Sequence, residues 1–339
     1  MVTNLAARPV WVSHQIEAEP TQMTGPMGKT APDRMSSLWT QRTLKSRIPC
    51  VGIGLHSGRR VSLTLLPAPA NHGIVFRRVD LNRDIPALYD RVVDTQLCTV
   101  IGEGAARAGT IEHLMAALAG AGIDNAIVEL DGPEVPIMDG SAAPFSFLLE
   151  CAGTAVLDTP RKTIEILKTV RATDGDAFAE LRPFDPSATW AARPKVPTLD
   201  LEVAIDFPDA AIGRQTLSMR LTPENFREIV APARTFGRLG DVEKLHAMGL
   251  AKGGSLDNAV VVDGAKVLNP GGLRMEKEFA AHKLLDAVGD LALAGVALHG
   301  RFVANRPGHA LTNKLLRALF ARQSAWADIT PEHLSAAAA

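Results

Sequence analysis

Glu276-Lys277-Glu278-Phe279-Ala280-Ala281-His282-Lys283-Leu284-Leu285-Asp286-Ala287-Val288-Gly289-Asp290-Leu291-Ala292-Leu293-Ala294 is the most informative stretch of this chain. It predicts one long helix. Between Ala281 and Val296 its only ionisable residues are His282, Lys283, Asp286 and Asp290. On a wheel of about 100° per residue, Asp286 lies near ~40° from His282, Asp290 near ~80° and Lys283 near ~100°. Phe279, Ala287, Leu293 and Ala294 share that side, and Leu284, Leu285, Val288 and Leu291 cover the rest. A helix apolar nearly all round is buried. A buried stripe of one His, one Lys and two Asp costs several kcal/mol unless it is paired or holds something. From the helix alone, a structural ion-pair network, or a solvated face flanked by small residues, explains the stripe as well as a site does.

Working outward, His282 and Asp286 stand at i, i+4, where two side chains on one turn can hold one metal. A catalytic zinc takes about three protein ligands and keeps one open position. The best third candidate is His113, in Thr110-Ile111-Glu112-His113-Leu114, where Thr110 is read as the cap of a helix over Ile111–Ala119. Glu112 beside it offers the carboxylate base that metal-water chemistry needs, although it also suits a first helical turn without any metal. Arg306-Pro307-Gly308-His309 places a histidine after a Pro-Gly turn. It could serve as general acid or cationic stabiliser, oriented by Asp290, or be an ordinary surface histidine. Ala233-Arg234-Thr235-Phe236-Gly237 offers a cation, a hydroxyl and an aromatic ring, or is a plain loop. Gly52 to Gly58 lacks the GxxxxGK[ST] pattern and reads as a turn.

The remaining elements follow from alternation and punctuation. Val61, Leu63 and Leu65 alternate with Ser62 and Thr64, a half-buried strand. Further strands are expected at 73–79, 125–130, 163–170, 177–182 and 199–207. Helices are expected at 141–151, from Pro223, and at 313–326. A hairpin over 258–268 is expected to turn at Asp263-Gly264. Thr154 to Arg161 reads as a linker, and the four-proline stretch Pro183 to Pro197 as a loop. Without strict βαβ alternation the class is α+β. At 339 residues, two domains or one large one are expected.

Composition narrows the function. With 36 Lys+Arg against 37 Asp+Glu, a broadly basic nucleic-acid binder is excluded. No run approaches the ~20 apolar residues of a membrane span. Cys50, Cys98 and Cys151 are odd in number and far apart, which fits a reducing compartment.

Together these segments resemble the zinc-dependent UDP-3-O-acyl-N-acetylglucosamine deacetylases of lipid A biosynthesis, from about Gln41 to Trp326. The carrying motifs are Gly54-Leu55-His56-Ser57-Gly58, Thr110–Leu114, Pro136 to Phe145, Ala233–Gly237, Gly253-Gly254-Ser255, His282–Asp286 and Gly308-His309-Ala310-Leu311. The resemblance implies two similar sheet-plus-helix layered domains with the active site between them: 39–157, and 158–328 with an acyl-chain passage insert. Residues 1–38 would be a disordered extension and 329–339 a tail.

It implies that His113, His282 and Asp286 hold one zinc and that Glu112 is the base. His309, held by Asp290, would be the acid or cation, and Thr235 would donate to the oxyanion. Phe236 would pack on the glucosamine. Lys283 would meet the diphosphate, with Arg306 a further contact from its charge and position. Leu256 and Ala259 would line the passage, with Leu97 and Cys98 approaching from the first domain. The substrate would be an acylated UDP-sugar, handled by a cytoplasmic monomer with no nucleic-acid partner. Four features depart from the family: the long tail, an extended stretch over 183–197, Leu239-Gly240 where bulkier residues are expected, and polar Asn258 in the passage region. A silent binder of the same ligand, or a zinc amidase on another substrate, are the competing readings.

Overall fold

The structure, a computed structural model, describes residues 39–184 and 196–331. The expected N-terminal extension, most of the Pro183–Pro197 loop and the last eight residues lie outside the described residues.

The first half runs β1 (Thr40–Leu44), β2 (Ile48–Ile53), β3 (Arg60–Pro67), β4 (Ile74–Arg78), β5 (Arg83–Pro86), β6 (Val92–Asp94), β7 (Val100–Glu103), β8 (Ala106–Ala108), α1 (Glu112–Gly120), β9 (Ala126–Leu130) and α2 (Ala143–Ala152). Its main sheet has the order β2-β3-β9-β4-β5, and β6-β7-β8 form a small second sheet. Alternation does what it should in β3: Val61, Leu63 and Leu65 are buried, while Arg60 and Ser62 face out.

The second half begins with a correction. Thr154–Pro160 is not a linker but a strand, β10, antiparallel to β1. Linker-like residues are tolerated there because Thr43 and Leu44 of the chain's start supply a partner. There follow β11 (Thr163–Ile166), β12 (Val170–Asp174), β13 (Ala177–Arg182), β14 (Leu199–Asp206), β15 (Arg214–Arg220), β16 (Phe236–Arg238), α3 (Leu239–Ala247), β17 (Val260–Asp263), β18 (Lys266–Val267), α4 (Glu278–Ala292), β19 (Ala297–Asn305), α5 (His309–Phe320) and β20 (Trp326–Asp328). β19 is central, parallel to β11 and β14 and antiparallel to β13. The strand expected over 163–170 is two strands. The chain leaves the sheet after Ile166, where the amides of Leu167 and Lys168 both donate to the Ala325 carbonyl. The hairpin turns on Gly264-Ala265, one residue late. Gly264 has φ 58, but Ala265 has no positive φ, so this is not the type I′ turn expected. Mixed sheets with segregated helices make the class α+β.

The two halves meet along α1 and α4. Both helices are buried almost throughout. Gly289 of α4 lies so close to α1 that a Cβ there would stand 2.0 Å from the Glu112 carbonyl oxygen. That contact of backbone on backbone fixes the spacing of the two helices. At the other end of α1, Gly120 accepts the Phe226 ring, against which a Cβ would stand at 2.3 Å. The halves also touch through their loops, where a Cβ on Gly253 would meet the Gly54 carbonyl oxygen at 2.3 Å.

Candidate active site

α1 starts one residue later than expected and Thr110 does not cap it. Thr110 is left-handed (φ 54), and its hydroxyl donates to Glu134. The turn over Gly54–Gly58 wraps the same buried carboxylate, which accepts the amides of His56 and Ser57. The helix therefore begins uncapped by a side chain at Glu112-His113, and its first turn points into the junction between the halves.

On the facing helix the predicted polar stripe is present. His282, Asp286 and Asp290 are buried, and Lys283 is half-buried. His113 Nε2 lies 3.8 Å and His282 Nδ1 3.5 Å from the same oxygen, Asp286 Oδ1. The two imidazoles meet edge to face at 4.9 Å. One ligand atom from each of the three residues falls within 4.8 Å of the others. Among the described residues, His113 Nδ1, both ring nitrogens of His282 and Asp286 Oδ1 are buried without a hydrogen-bond partner. Orphaned buried polar atoms are unfavourable, and several converging ones fit a metal ion.

The electrostatics agree. Burial pushes His113 down to about 4 and His282 down to about 3, so both are neutral ligands at neutral pH. Burial would raise Asp286, but Lys283 and the neighbouring histidines hold it well below the usual carboxylate range. Lys283 donates to Asp286 Oδ2 at 2.8 Å, which leaves Oδ1 facing the histidines. Its Nζ also lies 5.5 Å from the Phe236 ring centroid.

Glu112 and His309 form the second group. His309 opens α5, four residues earlier than the helix expected there. Its Nε2 is 3.7 Å from Glu112 Oε1, and its Nδ1 is 2.9 Å from Asp290 Oδ2. Burial raises Glu112 to about 7, against the pull of His309. Burial would lower His309, but Asp290 and Glu112 outweigh it and lift it to about 10.

Thr235 and Phe236 sit where β16 begins. The Thr235 amide donates to the Gly140 carbonyl at 2.7 Å, and the Phe236 ring stands edge-on to His282 at 6.1 Å. The cation of this segment is not available. Arg234 is buried in a clasp with Glu278, which takes its Nε at 2.8 Å and also accepts the amides of Arg234 and Arg274. Leu97 is exposed, whereas Cys98 is buried, its thiol bonded to Thr110 and pushed by burial up to about 12. Leu256 is exposed and Ala259 half-buried. Arg306 is exposed with φ 53. Asn258 spends its polarity on the insert itself, accepting from the Ser255 amide and donating to the Gly253 carbonyl. Leu239-Gly240 open α3. Sequence reasoning missed Thr99, Glu134, Glu278 and Gly289. Only the last carried a signal, a glycine inside a helix.

Comparison with known proteins agrees with the geometry. The family model of the UDP-3-O-acyl N-acetylglycosamine deacetylases matches residues 41–321. A UDP-3-O-acyl-N-acetylglucosamine deacetylase of Acidithiobacillus ferrooxidans is 51% identical over 290 residues, 84% of this chain and 91% of the relative. Those of Shewanella frigidimarina and Myxococcus xanthus are 49% and 50% identical, covering 84% and 87% of this chain and 91% and 90% of the relatives. A match of this extent, with the clustered residues inside it, shows that the chain belongs to the UDP-3-O-acyl N-acetylglycosamine deacetylase family.

Proposed function

We propose that the protein is a zinc-dependent amide hydrolase. It removes the N-acetyl group from UDP-3-O-[(3R)-3-hydroxyacyl]-N-acetylglucosamine, the committed step of lipid A biosynthesis, giving acetate and the free glucosamine amine. The observation that carries this reading is the convergence of three orphaned donors, His113, His282 and Asp286, within reach of a carboxylate lifted to about 7. Two imidazoles and a carboxylate are a catalytic zinc set, and the same donors suit ferrous iron. When bound there, such an ion supplies Lewis acidity, bringing the pKa of a coordinated water toward ~7.

The chain's own groups supply the rest. Glu112, with a pKa matched to neutral pH, takes the proton of the attacking water. His309 stays cationic between Asp290 and Glu112. It faces the negative charge that develops on the acetamide oxygen, or protonates the departing amine. Thr235 donates to the oxyanion, a contribution of about 3 kcal/mol by comparison with other such donors. Phe236 packs on the sugar, and Lys283 and Arg306 face the diphosphate. Leu97, Cys98, Leu256 and Ala259 border the acyl chain, with Leu97 and Leu256 the most exposed of the four.

We read 39–157 and 158–328 as two domains, each with its own main sheet. β10 crosses that boundary and ties the second domain to the chain's start. A nucleotide-sugar substrate and scattered cysteines point to a cytoplasmic enzyme. Both metal-holding helices belong to one chain, which fits a monomer.

The purified chain should contain about one zinc and release acetate from the acylated UDP-sugar. A chelator should abolish turnover and zinc restore it. Glu112→Ala should keep the metal and lose most turnover, and His282→Ala should lose both. Absence of acetate release from the zinc-loaded protein would overturn the reading. Undiminished turnover in Glu112→Ala would remove that residue as base.

A further inference from the structure

Thr99 lies in the loop between β6 and β7 and is 2% exposed. It is neither one of the three metal-holding residues nor one of the groups proposed to act on the substrate. Its amide donates to Glu112 Oε2 at 3.1 Å, and its hydroxyl donates to Asp290 Oδ1 at 2.6 Å. The two acceptors belong to different helices, α1 and α4. Each carboxylate keeps its other oxygen for His309 of α5: Glu112 Oε1 at 3.7 Å from Nε2, and Asp290 Oδ2 at 2.9 Å from Nδ1. One residue thus decides which oxygen of the base and which oxygen of the histidine's partner faces the reacting centre.

We propose that Thr99 is a positioning residue that sets the mutual orientation of Glu112 and His309 through paired hydrogen bonds from its amide and hydroxyl. The residue type suits the task. A carboxylate oxygen accepts only, so the hydroxyl must donate to Asp290, and its rotamer is limited by β-branching. Without the hydroxyl, Asp290 Oδ1 is buried without that donor, and the carboxylate is free to turn its second oxygen away from His309. His309 would then lose the bond that fixes both its ring orientation and its tautomer.

The inference rests on the deacetylase reading for its kinetic consequence but not for its geometry. The test compares Thr99→Val, which keeps the shape and the amide, with Thr99→Ser, which keeps the hydroxyl. In the zinc-loaded enzyme, Thr99→Val should lower kcat about 10- to 100-fold with KM and zinc content little changed, as for other residues that orient catalytic groups. Thr99→Ser should recover most of that loss. In the metal-free protein, the Nδ1–H proton resonance of His309, assigned by its absence in His309→Gln, should move in Thr99→Val and stay in Thr99→Ser. A resonance unmoved in Thr99→Val, or a serine variant as slow as the valine one, would overturn the proposal. If Thr99→Val does not fold, Thr99→Ala takes its place in the same comparison. Should the wild type release no acetate, the deacetylase reading fails while the resonance still decides the role of Thr99.

Discussion

Substitution Gly289→Ala tests the claim that backbone contact between α1 and α4 sets the site. The new methyl would stand 2.0 Å from the Glu112 carbonyl oxygen and 2.8 Å from its carbonyl carbon. Ordinary carbon-to-carbonyl-oxygen contacts begin near 3.3 Å, so the helices must part by roughly 1 Å. Neither atom sits on a side chain that could rotate away. Overpacking costs about 1–3 kcal/mol, and the rigid contact places this case at the upper end. Replacing Gly by Ala inside a helix returns about 1 kcal/mol. The net loss is about 2 kcal/mol, or a Tm lower by about 3 °C in a chain of this size. The functional effect should exceed the stability effect. Metal-ligand distances tolerate about ±0.2 Å, and α1 carries His113 while α4 carries His282 and Asp286. Zinc affinity should therefore fall sharply, and turnover by about 100-fold. Thermal unfolding of the metal-free protein and zinc titration read the two effects separately. Gly271→Ala, where a Cβ meets nothing within 4 Å, is the control and should leave both unchanged. If Gly289→Ala melts and binds zinc like the wild type, the helix spacing is not set by this contact.

Two further outcomes follow from the charges. Asp290→Asn removes the main group that raises His309 above its ordinary value, so His309 should lose its proton at a lower pH. In the proposed mechanism the protonated ring is the working form, so the alkaline limb of the kcat profile should shift to lower pH, and an unshifted limb would contradict the pairing. Glu278 has no exposed surface; burial would raise it, but the Arg234 hydrogen bonds hold it below its ordinary 4.5. A carboxyl depressed in the folded state stabilises above its unfolded pKa, and that contribution fades as pH falls through and below 4.5. Glu278→Gln should destabilise by about 3–5 kcal/mol at neutral pH, and the gap from wild type should narrow on acidification. A gap in Tm that stays constant with pH would refute the ionic clasp.

Much of the site was legible because helical periodicity is local. His282, Asp286 and Asp290 fall on one face at any tertiary arrangement, and the apolar residues around them require burial. The sheet faces were legible for the same reason, as in β3. Element ends were less so. Thr110 has the chemistry of a cap, yet its hydroxyl is claimed by Glu134, 24 residues away. Thr154–Pro160 has the composition of a linker, yet finds a strand partner more than a hundred residues earlier in the chain.

What the sequence determined by itself is the inventory: the polar stripe, the Glu112-His113 pair, the histidine after Pro307-Gly308, and a mixed α+β pattern. Which of these meet was decided only by the tertiary structure. Gly289 lets α1 close on α4, and Thr99, from the loop before β7, reaches both helices. Arg234 is withdrawn from the site by Glu278. The reason is physical. Side-chain identity and local period are properties of neighbouring residues, whereas orphaned donors, shifted pKa values and close backbone approach arise between segments far apart in the chain.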